Sequence, residues 1–226
     1  MNNDTSILSY TSTCNDGNIA YHVGDIKKNV DKNRALLAQK LNYNTITYMT
    51  QIHSNRVVVV DEHSPLHVED CDALITSTKE LALMVMVADC IAISFYDEVN
   101  EVVAVAHAGR NGTFLNIVKS VIENFTTNFN SKVENIKVSL SPSIQKCCYE
   151  VDNSMVAIVQ KNFGKEFVSG KCIDLQSINK KQLIECGIFK NNIEISTTCT
   201  KCSNEPYFSY RRDKKCGRFC SIIMLK

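Results

Sequence analysis

The chain has 226 residues, 44% of them hydrophobic and 22% charged, with a formal net charge of +1. Those figures bound an ordinary globular protein of single-domain size with a substantial core. They exclude a global field that would select nucleic acid or a membrane surface.

The opening stretch Met-Asn-Asn-Asp-Thr-Ser has no basic segment followed by an apolar one, so no secretory signal is expected. The longest apolar run, Leu81–Ala88, falls far short of the roughly 20 residues of a membrane span. A cytoplasmic protein is expected, its eleven cysteines serving as reduced thiols and metal ligands. Asp31–Leu41 predicts a short amphipathic helix with Ala35, Leu36, Ala38 and Leu41 on its apolar face. Strands are predicted at Thr45–Met49, Arg56–Asp61, Ala73–Thr76, Leu81–Val87, Ala92–Tyr96 and Glu101–Ala106. Gly109–Gly112 breaks the pattern, and Thr113 is placed as the cap of a helix through Ile117, Val121 and Phe125. Ile136–Leu140 reads as a strand closed by Pro142, and Asn153–Asn162 and Gln176–Cys186 as helices, the second stopped by Gly187. Ile193–Thr197 and Phe219–Leu225 are the last strands. Strands and helices mix without regular βαβ alternation, which predicts a layered α+β (α/β) fold. Its core is an extensive mixed β-sheet flanked by helices, in one domain over residues 1–226.

Three segments end an apolar run on a reactive group. They are Tyr48-Met-Thr-Gln-Ile-His53, Leu81 through Ala88-Asp-Cys90, and Val102-Val-Ala-Val-Ala-His107. Strand ends of one sheet can deliver such groups to one point. Two histidines and one cysteine would leave the fourth position of a tetrahedral metal open, the mark of a reactive site. Taken singly, Cys90 also fits a buried structural thiol and His53 a satisfied interior histidine. His22, His63 and His67 are weaker candidates, the last two flanking Pro65 in a polar loop expected to be exposed.

His107-Ala-Gly-Arg-Asn-Gly112 leads from a strand through a glycine turn into a helix, where backbone N–H groups and Arg110 could hold an anion. An ordinary turn would need the same glycines. Asp72 opens a strand, and Asp89 lies beside Cys90. From Cys199 to Lys226 seven Lys/Arg face Glu205 and Asp213, a local +5 that suits phosphate or a solvated tail. Within it, Tyr207-Phe-Ser-Tyr-Arg211-Arg212-Asp213 interleaves aromatic and guanidinium groups suited to a base and a phosphate, or to an amphipathic edge strand. Cys199-x-x-Cys202 and Cys216-x-x-x-Cys220 have the spacing of a small zinc ribbon, a rival metal site.

Together these stretches resemble the YfiH-like laccase-domain family, also called the multicopper polyphenol oxidase or peptidoglycan editing factor family. The matching pieces are Gln51-Ile-His53, Asp72-Ala-Leu-Ile-Thr76, Ala88-Asp-Cys90, Ala106-His107-Ala-Gly109, Cys148-Tyr-Glu-Val151, Cys199-Thr200, and Ser209-Tyr-Arg-Arg-Asp213 with Gly217-Arg218. An N-terminal stretch, His22-Val-Gly-Asp25 through Asn33-Arg34, is also similar. The resemblance implies metal ligands at His53, Cys90 and His107. It also implies phosphorolysis of purine nucleosides, methylthioadenosine included, and adenosine deamination. The chain departs from the family at Arg110-Asn111, where Trp-Arg is usual, at Ala92, where Pro is usual, and at Ser141-Pro-Ser-Ile-Gln145.

The expected protein is thus a purine nucleoside phosphorylase holding Zn2+, with copper as the alternative metal and with adenosine deaminase activity beside it. His53, Cys90 and His107 are the catalytic and metal-binding residues. Asp72 or Asp89 is a candidate carboxylate base, and Arg110 with Arg211 or Arg212 a candidate phosphate holder. The expected partners are purine nucleoside and phosphate, without nucleic acid or membrane. Two rival chemistries are a Cys–His hydrolase acting on amide-linked peptidoglycan precursors and a single-copper oxidoreductase. A non-enzymatic interaction module built on Cys199–Cys220 is the remaining reading.

Overall fold

The computed structural model describes residues 6–226. Its strands are β1 (Ile7–Thr11), β2 (Thr45–Met49), β3 (Val57–Val59), β4 (His67–Val68), β5 (Ala73–Thr76), β6 (Leu81–Val87), β7 (Ile91–Asp97), β8 (Val102–Ala108), β9 (Ile136–Leu140), β10 (Val168–Ser169), β11 (Cys172–Ile173), β12 (Ile193–Ile195) and β13 (Phe219–Leu225). One sheet has the order β1-β13-β6-β2-β4 and a second the order β12-β9-β7-β8-β5-β3, while β10 and β11 form a small hairpin. Both large sheets are mixed: β13 is antiparallel to β6 but β2 is parallel to it, and β8 is antiparallel to β7 while β12 is parallel to β9.

The continuous apolar runs have a simple cause. Strands β6, β7, β8 and β13 are buried at every position, because each has a layer packed on both faces. Leu83, Val85, Tyr96, Val103, Val105 and Ile223 fill the space between the two sheets. The opposite parity of the six-stranded sheet, including Ile93, Phe95, Ala104 and Val138, packs against Val121 and Phe125, Val159, and Ile178 and Leu183. Those residues belong to helices α3 (Ile117–Phe129), α4 (Asn153–Asn162) and α5 (Leu175–Glu185). On the other side Ala82, Met84 and Ile222 meet Leu37 of α1 (Lys27–Leu41). The order of layers is helix, sheet, sheet, helices. Such a fold matches the predicted α+β class.

Some boundaries differ from the sequence reading. Helix α1 starts at Lys27, and its buried residues are Val30 and Leu37, whereas Leu36 is 53% exposed. Adjacent helix positions point about 100° apart, so only one of Leu36 and Leu37 can face the sheet. Thr113 is not a cap. It lies inside the short helix α2 (Arg110–Phe114), which Gly109 begins. The cap of α3 is Asn116, in a left-handed conformation, whose side chain accepts from the Lys119 N–H. No helix among the described residues is long and apolar enough to cross a membrane.

Two topological facts place the site. The chain passes from the five-stranded to the six-stranded sheet between β6 and β7, and Ala88–Cys90 is that crossing. His107 shares the parity of Val103 and Val105, so it projects into the layer between the sheets near the end of β8.

Candidate metal centre and pocket

His107 is 3% exposed, and Asp72 beside it is fully buried. A buried carboxylate survives only if its lone pairs are used. Asp72 accepts from the backbone N–H groups of Ile52 (3.2 Å), His53 (3.0 Å) and Ser54 (2.6 Å), from Ser54 Oγ (2.8 Å), and from His107 Nδ1 (2.8 Å). Burial pushes its carboxyl up, but the His107 and Ser54 hydrogen bonds outweigh that and hold it below the usual carboxylate range. With Nδ1 donating to Asp72, His107 presents Nε2 to the centre. The same carboxylate curls the Ile52–Ser54 loop, where His53 has a left-handed φ of 62°. Gln51 anchors the other end of that loop, donating to the Met86 carbonyl (2.8 Å) and accepting from the Met86 N–H (3.0 Å).

Cys90 arrives from the inter-sheet crossing. The ligand atoms of His53, Cys90 and His107 all lie within 4.8 Å of one another, and the two imidazoles meet edge-on at 4.7 Å between centroids. Gly109 is the floor. A Cβ there would stand 3.0 Å from Cys90 Sγ and 3.1 Å from His53 Cδ2, so the space belongs to the three candidate ligands. Two imidazoles, one thiol and a bare glycine fit a tetrahedral divalent ion with one position left open. Burial pushes the Cys90 thiol up. The His107 charge and hydrogen bonds from His107 and His53 overcome it and bring the thiol down to about 6. Burial pulls His107 down in turn, and the Cys90 charge with the Asp72 hydrogen bond raises it to about 9. Each group thus favours the charged form of the other.

The three residues open into a pocket of about 860 Å³. Arg34, Arg211 and Arg218 line it, together with His22, Tyr48, His67, Tyr149 and Tyr210. Arg34 is held between the rings of Tyr21 (4.4 Å) and Tyr48 (4.3 Å) while its Nε donates to the Ile19 carbonyl (2.8 Å). His67 stacks on Tyr48 at 4.7 Å and 12°. Arg211 lies 5.2 Å over the Tyr149 ring and donates to the Glu150 carbonyl. Burial, then the Arg218 and Arg34 charges, hold His22 below the ordinary histidine range.

The remaining predicted residues separate into those on the pocket and those below or beyond it. Asp72 is not on the pocket wall, and its oxygens already serve five donors. Asp89 lines the pocket, at φ 87°, and ties two loops: Oδ1 accepts from Thr200 Oγ1 (2.6 Å) and Oδ2 from the Arg211 N–H (2.6 Å). Arg212 is spent on the carbonyls of Thr200, Lys201 and Tyr207. Arg110 heads α2, exposed and off the lining, its charge reaching Tyr149. His63 is exposed as expected, whereas His67, also largely exposed, stands on the pocket wall.

The predicted zinc ribbon does not form. Cys220 lies in β13, buried against Ser12 Oγ, and Cys216 sits beside Arg218. Cys199 and Cys202 instead meet Cys147 and Cys148. Arg34 was not singled out in the sequence, His22 ranked only as a weaker candidate, and Arg218 was one charge of the basic C-terminal patch; the pocket joins them because it brings both ends of the chain together.

Known proteins are similar to this chain in sequence and in fold. The chain is 39% identical over 183 residues to a Campylobacter jejuni protein named purine nucleoside phosphorylase Cj1217c, covering 79% of this chain and 76% of that one. It is 32% identical over 213 residues to adenosine deaminase RL5 from an unknown prokaryotic organism, covering 86% and 81%. The crystal structure of hypothetical protein YfiH from Bacillus licheniformis superposes with a TM-score of 0.92 at 29% identity, over 97% of this chain and 93% of that one. The family model described as multi-copper polyphenol oxidoreductase laccase matches residues 8–226. That span takes in His53, Cys90, His107 and both sheets, and the chain belongs to this family.

Proposed function

We propose that the protein is a zinc-dependent purine nucleoside phosphorylase whose centre is His53, Cys90 and His107. One observation carries the reading: three guanidinium groups, Arg34, Arg211 and Arg218, line the same pocket as the three-ligand set. Charge-assisted contacts of this kind are what a phosphate needs. The flat surfaces of His67, Tyr149 and Tyr210 in the same pocket suit a purine. Relatives named purine nucleoside phosphorylase and adenosine deaminase support the substrate class.

In the reaction a phosphate oxygen bonds to C1′ of the sugar as the C1′–N9 bond breaks, and the purine leaves with the electron pair and takes up a proton. Arg34, Arg211 and Arg218 hold the anion against C1′. Asp72 positions the His107 ring and the His53 loop. Tyr149 and the outer face of His67 enclose the base and exclude water. Zinc, when bound, supplies Lewis acidity at one open position. The His2Cys set also suits one copper. Coupled copper clusters need many more histidines than the five in this chain.

A second reading rests on a specific line of groups. Cys90, His107 and Asp72 are joined in the order of a nucleophilic triad, with the thiol already lowered to about 6. Metal-stripped protein that hydrolysed an amide, and lost this on alkylation of Cys90, would favour it. The phosphorylase reading is tested by nucleoside turnover with and without phosphate, on wild type and Cys90→Ala, with bound metal measured in the same samples. Phosphate-dependent release of free base by the wild type, lost in Cys90→Ala, is the expected result.

A further inference from the structure

A second cluster of thiols stands apart from this centre. Strands β9 and β12 run parallel at the edge of the six-stranded sheet, so the loops that follow them leave side by side. An isolated bridge between Ser143 and Cys199 extends the pairing into those loops, with the Thr200 N–H donating to the Ser143 carbonyl (3.0 Å). The first loop brings Cys147 and Cys148, and the second brings Cys199 and Cys202. All four sulfurs lie within 4.8 Å of one another.

We propose that Cys147, Cys148, Cys199 and Cys202 form a tetrathiolate site for a structural zinc ion. The Cys147 and Cys202 sulfurs are 3.6 Å apart. With Zn–S bonds of about 2.3 Å, the sulfur–sulfur edge of a tetrahedron is about 3.8 Å. Disulfide sulfurs sit at about 2.0 Å, so none of the four is bonded to another. Cys199-x-x-Cys202 has the turn spacing of a zinc knuckle. Its first sulfur, Cys199 Sγ, accepts the Gln145 N–H at 3.5 Å from the opposite loop. Binding releases the four thiol protons to solvent and leaves a net charge of −2 on the site. Lys146 and Lys201 adjoin the ligands, and Arg212 braces the second loop through the Thr200 and Lys201 carbonyls.

The site reaches the pocket through two short links. Tyr149 follows Cys148 and lines the pocket, while Thr200 follows Cys199 and bonds Asp89, the neighbour of Cys90. The ion is therefore placed to hold one pocket wall in register. It is a closed site with no open position, which separates it in kind from His53, Cys90 and His107.

The test is zinc content per chain by elemental analysis, with a thiol count on the same protein. Wild type is expected to hold about two zinc ions, Cys90→Ala about one, and Cys199→Ser/Cys202→Ser about one, at the first centre. Cobalt loaded into Cys90→Ala is expected to give the intense visible bands and the near-ultraviolet sulfur charge-transfer band of a tetrahedral thiolate site. That spectrum also decides the matter if the double variant fails to fold. Metal-free Cys90→Ala with all thiols titratable, a cobalt spectrum without sulfur charge transfer, or a protein two or four thiols short through disulfides would each overturn the proposal.

Discussion

His107 Nδ1 and Asp72 Oδ1 meet at 2.8 Å in a corner closed to solvent, and Asp72 Oδ1 also accepts the backbone N–H of His53 at 3.0 Å. One oxygen thereby fixes two residues of the candidate metal centre, one through its ring and the other through its main chain. Asp72→Asn keeps the shape but replaces one acceptor with a donor that faces another donor. Zinc affinity at the first centre is predicted to fall about 10–100-fold, as removal of such partners does elsewhere. Chelator competition on Cys199→Ser/Cys202→Ser protein, with and without the substitution, measures this.

Gly109→Ala tests the floor of the centre. The backbone φ of −75° accepts alanine, so the effect must be steric. The added methyl would sit 3.0 Å from Cys90 Sγ and 3.1 Å from His53 Cδ2. Overpacking of this kind costs about 1–3 kcal/mol. Zinc content and kcat are expected to fall while circular dichroism stays that of the wild type.

Arg211 and Arg212 adjoin in sequence but differ in what they do. Arg211→Gln is predicted to raise the KM for phosphate about tenfold or more, since a charge-assisted hydrogen bond is worth about 1.5–3 kcal/mol. Arg212→Gln releases three carbonyls instead and should lower Tm more than it moves that KM. Steady-state kinetics and thermal melts on both variants separate the roles. Equal effects of the two on the KM for phosphate would contradict the assignment.

The pH dependence of anion binding follows from His22. Burial and the Arg218 and Arg34 charges hold its folded pKa below the ordinary 6.5 or so, so it is neutral at pH 7 and gains charge only on acidification. Added positive charge favours an anion. Inhibition by sulfate, a dianion at every pH used, should tighten as pH falls below the usual histidine range. The gain is roughly fivefold, the worth of about 1 kcal/mol for one well-solvated charge at close range. His22→Gln should abolish this dependence when metal content is held constant.

Much of the fold was legible because burial on both faces writes itself as an unbroken apolar run. Leu81–Val87 was read to the residue for that reason, Phe219–Leu225 because only Ser221 interrupts such a run, and Ile136–Leu140 because buried Ile136, Val138 and Leu140 alternate with half-buried Lys137 and Ser139. The candidate metal residues stood out because a reactive side chain ended such a run. What stayed hidden depended on pairing between distant segments. Nothing local tells Cys199 that its neighbours are Cys147 and Cys148, because the parallel pairing of β9 with β12 brings them together, and the ribbon spacing pointed to the wrong partners. Arg34 reaches the pocket from α1, and only the tertiary fold carries it beside Arg218. Leu36 and Leu37 differ by one position on a helix, a distinction that composition cannot make.

The central claim is phosphorolysis at the His53–Cys90–His107 pocket, and phosphorus NMR of the zinc-loaded protein with inosine and inorganic phosphate tests it most directly. The account predicts loss of the phosphate signal and growth of a sugar 1-phosphate signal in step with free base, with neither change in Cys90→Ala. Free base released with no sugar 1-phosphate, or no turnover of any purine nucleoside by metal-loaded protein, would contradict it.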